Sequence, residues 1–300
     1  MLMVLTISVA LAAACCFAFG NAVQHRAAGQ VPSDHGVVRL VIDLFRSPQW
    51  LLGSAFALTA FGLHITAMNL GVVAVVQPFM LGAVLLAVPI RAFLDKEVPS
   101  RSEMLWVAFT VLGFIVFVSA ANSHRESGAP HDLRALAWVV VGFTVAVLWA
   151  SLANRFADGP LRGFVFATAS GLTFGVTAGL MKFVRHDAAD GWWGLAEHWH
   201  AWALLAGSII GTTLNQRSYQ ASTLSVVMPS MSCINIVVAV AFGWTVFNEP
   251  PSLSPVSFTV QLACLGAMVV GLLQVARAED ELEAGHRESV RSGPPPPVPR

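Results

Sequence analysis

Charge is scarce in this 300-residue sequence, where Asp, Glu, Lys and Arg make up 11% of the chain, against about 25% in a soluble domain. The charges that exist cancel, 17 acidic against 17 Lys and Arg. No basic footprint is left for nucleic acid. Nine long apolar segments contain no Asp, Glu, Lys or Arg. A charge at the centre of a bilayer costs about 2.5–3.5 kcal/mol on insertion scales, so a lipid-spanning chain moves its charges to helix ends. Cysteine is sparse as well. Cys15, Cys16, Cys233 and Cys264 all fall within apolar segments, where they act as small hydrophobes and form no disulfide framework. A nucleophile–base motif, a metal-ligand cluster and a phosphate loop are all missing, so neither catalysis, a cofactor nor a bound metal is expected.

What is present is apolar, with hydrophobic residues at 56%. About 20 such residues cross the roughly 30 Å hydrocarbon core. The spans fall at Leu2–Val23, Trp50–Met68, Val72–Ile90, Met104–Ala121, Ala135–Ala153, Gly163–Met181, Trp199–Leu214, Ala221–Phe247 and Val256–Ala276. The expected fold is an all-α integral membrane protein of about nine transmembrane helices. The polar run Asn215–Gln220 reads as a tight turn between spans seven and eight. The run from Leu11 to Cys15 faintly resembles a signal-peptide cleavage region, but no positive charge precedes it, and a retained first helix is expected.

With nine spans, 13 Lys/Arg residues collect on one side of the membrane and 4 on the other. The positive-inside rule then puts the N-terminus outside and the C-terminus in the cytoplasm, in a plasma (inner) membrane. Within the first loop, Gln24 to Gln49, the amphipathic stretch Val37–Phe45 is suited to lying on the inner membrane surface. From Ala278 the chain turns charged and then proline-rich, the composition of a solvated tail.

The two halves echo one another. Val75, Val76, Gln77 and Pro78 match Val226, Val227, Met228 and Pro229 at an offset of 151 residues. Glu97, Val98 and Pro99 match Glu249, Pro250 and Pro251 at 152, and Leu112 and Gly113 match Leu265 and Gly266 at 153. The chain therefore divides into a first repeat (1–121), a connector with helix five (122–159), a second repeat (160–277) and the tail (278–300). An odd number of helices between equivalent positions inverts one repeat against the other, an arrangement recurrent in transporters that bind substrate near the midplane. Small-residue stripes, Ala12–Cys16–Gly20 and Ala167–Gly171–Gly175–Gly179, read as close-packing surfaces. Pro78 and Pro229 interrupt helices three and eight as either static kinks or hinges.

These paired stretches, Asn69 through Pro78 and Glu97 to Gly113, and Gln220 through Pro229 and Glu249 to Gly266, resemble the drug/metabolite transporter superfamily. The nine-helix layout, with a first loop leading through Pro48, Gln49 and Trp50 into helix two, looks more like its NIPA-type magnesium-transporter branch than the ten-helix EamA-type exporters. The resemblance covers residues 1 to 277 and implies inverted repeats, a central cavity and small-solute transport. Mg²⁺ binding wants carboxylate oxygens, and no span contains one.

The polar residues that remain within or beside the spans are the candidate substrate contacts: Asn235 midway along helix eight, His64 near the outer end of helix two, its repeat mate Asn215, Gln77 before Pro78, and Gln261 on helix nine. Each also reads as a hydrogen-bonded structural group. His64 is the titrating candidate for proton coupling. Trp50 reads as part of an interfacial belt, Trp149 and Trp244 as cavity groups, and Glu97 and Glu249 as solvated helix ends or gate groups. The function expected is a secondary transporter of a small organic metabolite or drug-like solute. The alternatives are a divalent-cation transporter and a non-transporting subunit that scaffolds a partner. Beyond substrate and lipid, the first loop and tail are the surfaces available to a second copy or a partner protein.

Overall fold

A computed structural model describes residues 2–32, 36–70, 73–96, 100–120, 131–156, 159–187, 197–248, 254–271 and 274. Among these residues the chain is helical throughout, without a strand. The helices are α1 (Leu2–Gly29), α2 (Val37–Arg46), α3 (Pro48–Leu70), α4 (Val73–Asp95), α5 (Arg101–Ala120), α6 (Asp132–Leu152), α7 (Pro160–Asp187), α8 (Trp199–Ala221), α9 (Leu224–Phe247) and α10 (Pro255–Gly271). A short 3₁₀ turn, Ala153–Arg155, follows α6.

Local chemistry sets several of the ends. Ser47 accepts from the Trp50 N–H at 3.3 Å with Pro48 opening α3, and Ser254 accepts from the Ser257 N–H at 3.2 Å with Pro255 opening α10. Serine before a first-turn proline is a strong helix start, because the proline lacks only an N–H that the helix would leave orphaned. Ser100 accepts from the Glu103 N–H at 3.0 Å, the serine half of a capping box. The close of α9 is Asn248 in the left-handed conformation, at φ 54°.

The described part of each expected span is helical, and four described segments are both long and apolar enough to cross a membrane: Met3–Gly29, Asp132–Leu152, Pro160–Val184 and Leu224–Phe247. The chain thus has the makings of a membrane protein. The lateral surface agrees, since α6 buries only its small stripe Ala135, Gly142, Ala146 and Ala150 and turns Leu133, Val141 and Leu148 outward. In water that would be a large exposed apolar face, whereas lipid matches it.

One expectation fails at the end of α8. The run Asn215–Gln220, read as a turn, stays helical to Ala221, and the chain turns at Ser222 and Thr223 instead. The run stays helical because its polar side chains are buried against α1 and need no solvent. Further, α1 continues to Gly29, beyond the Val23 boundary. The amphipathic stretch does form a helix, α2, and the four cysteines remain free. The tail lies outside the described residues.

The core has two centres. The first is α1, packed on α3 and α4; the second is α7, packed on α6, α8 and α9. Between them, α1 meets α8 and α9 meets α4 and α5. The expected small-residue stripe of α7 serves close packing: a Cβ at Gly175 would stand 2.7 Å from the Asn235 carbonyl oxygen on α9. Likewise a Cβ at Gly20 would stand 2.8 Å from the Gly53 carbonyl oxygen, so glycine is what lets α1 and α3 approach.

Candidate functional site

The extension of α8 faces the extension of α1, and their polar side chains form a seam at one end of the bundle. The Tyr219 hydroxyl donates to Asn21 Oδ1 at 2.5 Å, and Asn21 Nδ2 donates to the Phe17 carbonyl at 2.8 Å. Beside them Gln216 Nε2 donates to Gln24 Oε1 at 3.3 Å, and Gln24 Nε2 donates to Ser54 Oγ at 3.0 Å, linking α8, α1 and α3. His25 Nε2 lies 2.9 Å from the Ser222 carbonyl, which fixes that nitrogen as the N–H. Its ring meets Tyr219 edge-on at 5.4 Å. Tyr219, the one tyrosine in the chain, is 2% exposed. Asn21, Gln216 and Tyr219 are buried in the seam, and its polar groups hold the two centres of the core together.

The same end carries a buried ion pair. Arg91 on α4 and Glu103 on α5 approach to 3.2 Å, and Ser225 at the start of α9 donates to the same carboxylate oxygen. A carboxylate taken out of water must be compensated in this way. At the opposite end of α8, the buried His200 ring places Nδ1 3.0 Å from Asp187 of α7 and Nε2 3.4 Å from Asp132 of α6. It stacks on Phe183 at 4.4 Å.

Next to the seam is a cleft of about 260 Å³ between α2, the start of α3, and α8. Leu40, Val41, Leu44 and Phe45 form one wall and Ile209, Thr212 and Thr213 the other. Trp50 closes one side with its ring 4.9 Å from that of Phe45. Trp50 and Gln216, two of the lining residues, each carry an enclosed polar atom, Nε1 and Oε1, without a hydrogen-bond partner among the described residues.

The sequence candidates scatter. Asn235 is half-buried on α9, and its amide makes no hydrogen bond among the described residues. His64 is half-buried on α3, its Nδ1 enclosed and without a partner among the described residues. Asn215 is buried beside the Tyr219 hydroxyl, with Oδ1 unpartnered among the described residues. No hydrogen bond joins Asn215 to its repeat mate His64. Gln261 donates to the Ala120 carbonyl at 3.3 Å, tying α10 to the end of α5. Pro229 is buried inside α9, where its missing N–H deprives the Ser225 carbonyl of its intrahelical bond. The side chains of Gln77 and Pro78, and all of Glu97 and Glu249, lie outside the described residues.

Two readings need correction. Trp50 is 8% exposed and lines the cleft, because α2 folds over it. Trp149 and Trp244 are 42% and 47% exposed and lie at the surface of the bundle, with the Trp149 indole N–H turned in to donate to Thr168 Oγ1 of α7 at 3.0 Å. A second histidine, His200, lies inside a helix drawn as a span, held by carboxylates of two neighbouring helices. The seam itself went unread, although the only tyrosine within an uninterrupted polar run was a usable signal. Apolar patterning ends a span where apolar residues end, and so hides a helix that continues by burying polar groups.

The chain is 26% identical over 279 residues to an uncharacterized protein of Corynebacterium glutamicum, covering 91% of this chain and 95% of that one. No family model matches the chain, and no solved structure matches it.

Proposed function

We propose that this chain is a secondary membrane transporter of a small organic metabolite or drug-like solute. It works by alternating access between two inverted four-helix units of the drug/metabolite transporter kind. The observation that carries this reading is the matched packing of the two centres. In the first, α1 is clasped by α3 and α4; in the second, α7 is clasped by α8 and α9, in the same sequence order. The paired segments are those that the sequence repeat relates, with α6 as the peripheral connector. Two similar bodies that meet along a limited surface can rock against each other, which is what inverted-repeat transporters do.

In this reading the charge distribution makes the seam end cytoplasmic. The conformation described is then closed on the inside by Tyr219–Asn21, Gln216–Gln24 and Arg91–Glu103–Ser225. Asn235, with no bond of its own in the described protein, is the substrate contact best supported, with His64 as the titrating group. Pro229 and Pro78 are the hinges.

The test begins with thermal stability of the purified protein against metabolites, cationic drugs and divalent salts, since a ligand stabilises the state it binds. Stabilisation by an organic solute, followed by saturable flux of that solute into proteoliposomes, is the expected outcome. Stabilisation and flux with Mg²⁺ alone, or a flat panel together with a stably co-purifying partner, would overturn the proposal.

A further inference from the structure

We infer that His200 is a proton-operated latch at the end of the bundle opposite the seam. With both ring nitrogens protonated it ties Asp132, the first residue of α6, to Asp187, the last residue of α7. As a neutral imidazole it keeps Asp187 and loosens the start of α6. The ligand of this site is the proton, and its effect is to dock α6 on α7 and α8.

The two ring nitrogens have different tasks. Nδ1 donates to Asp187 Oδ2 at 3.0 Å, and because a carboxylate only accepts, Nδ1 carries a proton in either form of the ring. Nε2 therefore decides the state. It is enclosed, makes no hydrogen bond among the described residues, and stands 3.4 Å from Asp132 Oδ1. In the neutral ring its lone pair would sit beside an anion; in the imidazolium the same approach is an ion pair. The ring lies nearly parallel to Phe183, 17° between planes and 4.4 Å between centroids, with Trp199 at 4.3 Å. Aromatic faces favour a cation, which adds to the preference for the protonated form. Asp132 is 68% exposed, so the carboxylate beside Nε2 opens this edge of the site to protons from solvent.

The charged groups on the surrounding helices leave this role to His200. Among the described residues it is the one cationic side chain within 4 Å of either carboxylate. On α6, Arg134 donates to the Thr245 carbonyl, and His131 Nε2 lies 3.3 Å from the Asn248 amide. On α7, Lys182 lies over the Phe247 ring at 4.6 Å. The α9 side chains in this cluster, Phe242, Val246 and Phe247, do not titrate. Glu197 and His198, just before the ring in sequence, are exposed, and the His198 ring is 6.4 Å away. The start of α6 is joined to α9 by other bonds, from the His131 N–H to the Val246 carbonyl and from Arg134 to Thr245. Its polar tie to α7 and α8 at this end, among the described residues, is the one through His200. Deprotonation thus cuts one connection and spares the rest. In the transport reading this end faces outside and the latch senses external pH; the latch itself does not rest on that reading, and no flux enters its test.

The test uses the full chain in lipid nanodiscs and hydrogen–deuterium exchange at pH 5 and pH 8, on either side of the range in which histidine titrates, corrected for the intrinsic rate. Peptides covering residues 133–140 should exchange about fivefold faster at pH 8 than at pH 5 in the parent, while peptides from the middle of α1 should show no difference. Asp132→Asn changes an exposed side chain, so the fold is retained, and the start of α6 should exchange at the fast rate at both pH values. His200→Gln should do the same. His131→Gln and His198→Gln, which leave the latch intact, should keep the pH dependence of the parent. Exchange in the parent that is equal at the two pH values or faster at pH 5, an Asp132→Asn variant that keeps the parent's pH dependence, or its loss in His131→Gln or His198→Gln would overturn the inference.

Discussion

The Tyr219 hydroxyl is the shortest bond in the α1–α8 seam, and removing it leaves Asn21 Oδ1 buried without its donor. Hydrogen bonds between helices in a membrane average about 0.6 kcal/mol and reach about 1.7. Tyr219→Phe should fall at the upper end, because both partners are buried from solvent. Its thermal midpoint in detergent, compared with that of an exposed-site control such as Thr59→Val, checks this. His64→Gln tests a different role at the same scale. If the imidazole couples protons to transport, the amide should flatten the pH profile of flux between about pH 5 and 8, where histidine titrates; an unchanged profile removes that role. Single residues were the least legible part of the sequence. Asn235 and His64 stood out because they interrupt apolar runs. Glu103 and Tyr219 did not, since burial of a polar group at a helix end depends on which other helix arrives there.

Helices were far more legible, because absence of charge over some 20 residues is a constraint that lipid imposes regardless of tertiary contacts. Segment after segment, from Leu2 to Gly271, the apolar runs became helices. The small-residue stripe of α7 was also readable, and its consequence is quantitative. Gly175→Val would press a branched side chain on the Asn235 carbonyl and the Val238 side chain of α9. Overpacking of this kind costs about 1–3 kcal/mol, so a lowered thermal midpoint is expected, whereas Gly62→Ala, with open space around its Cβ position, should be nearly neutral. Pro229→Ala acts oppositely, restoring the bond to the Ser225 carbonyl and stiffening α9. If Pro229 is a hinge, this variant should keep substrate affinity and lose turnover severalfold. Equal turnover would leave it a packing residue.

At the scale of the molecule, the two clasped centres must separate at one end and close at the other for a solute to cross, so the bonds that join them at the seam end set the population of the closed state. Arg91, Glu103 and Ser225 belong to helices of both units, and that junction depends on a charge whose solvation has been surrendered. Glu103→Gln keeps the shape and removes the carboxylate charge, leaving an amide oxygen as the acceptor. If the Ser225–Glu103 bond, the part of this junction that crosses between the units, forms only in the closed arrangement, each 1.4 kcal/mol lost shifts the equilibrium about tenfold toward the open one. Val227, fully buried near the start of α9, is a reporter of that opening. In a background with the native cysteines replaced by alanine, Val227→Cys should react with a water-soluble maleimide slowly in the parent and about tenfold faster with Glu103→Gln. Equal rates in the two would mean that the Ser225–Glu103 contact holds a static bundle together, and the inner gate would have to be sought elsewhere. That distinction was beyond the sequence, where Glu103 is only a charge before an apolar run; the ion pair acquires a role once α4, α5 and α9 bring their ends to one place.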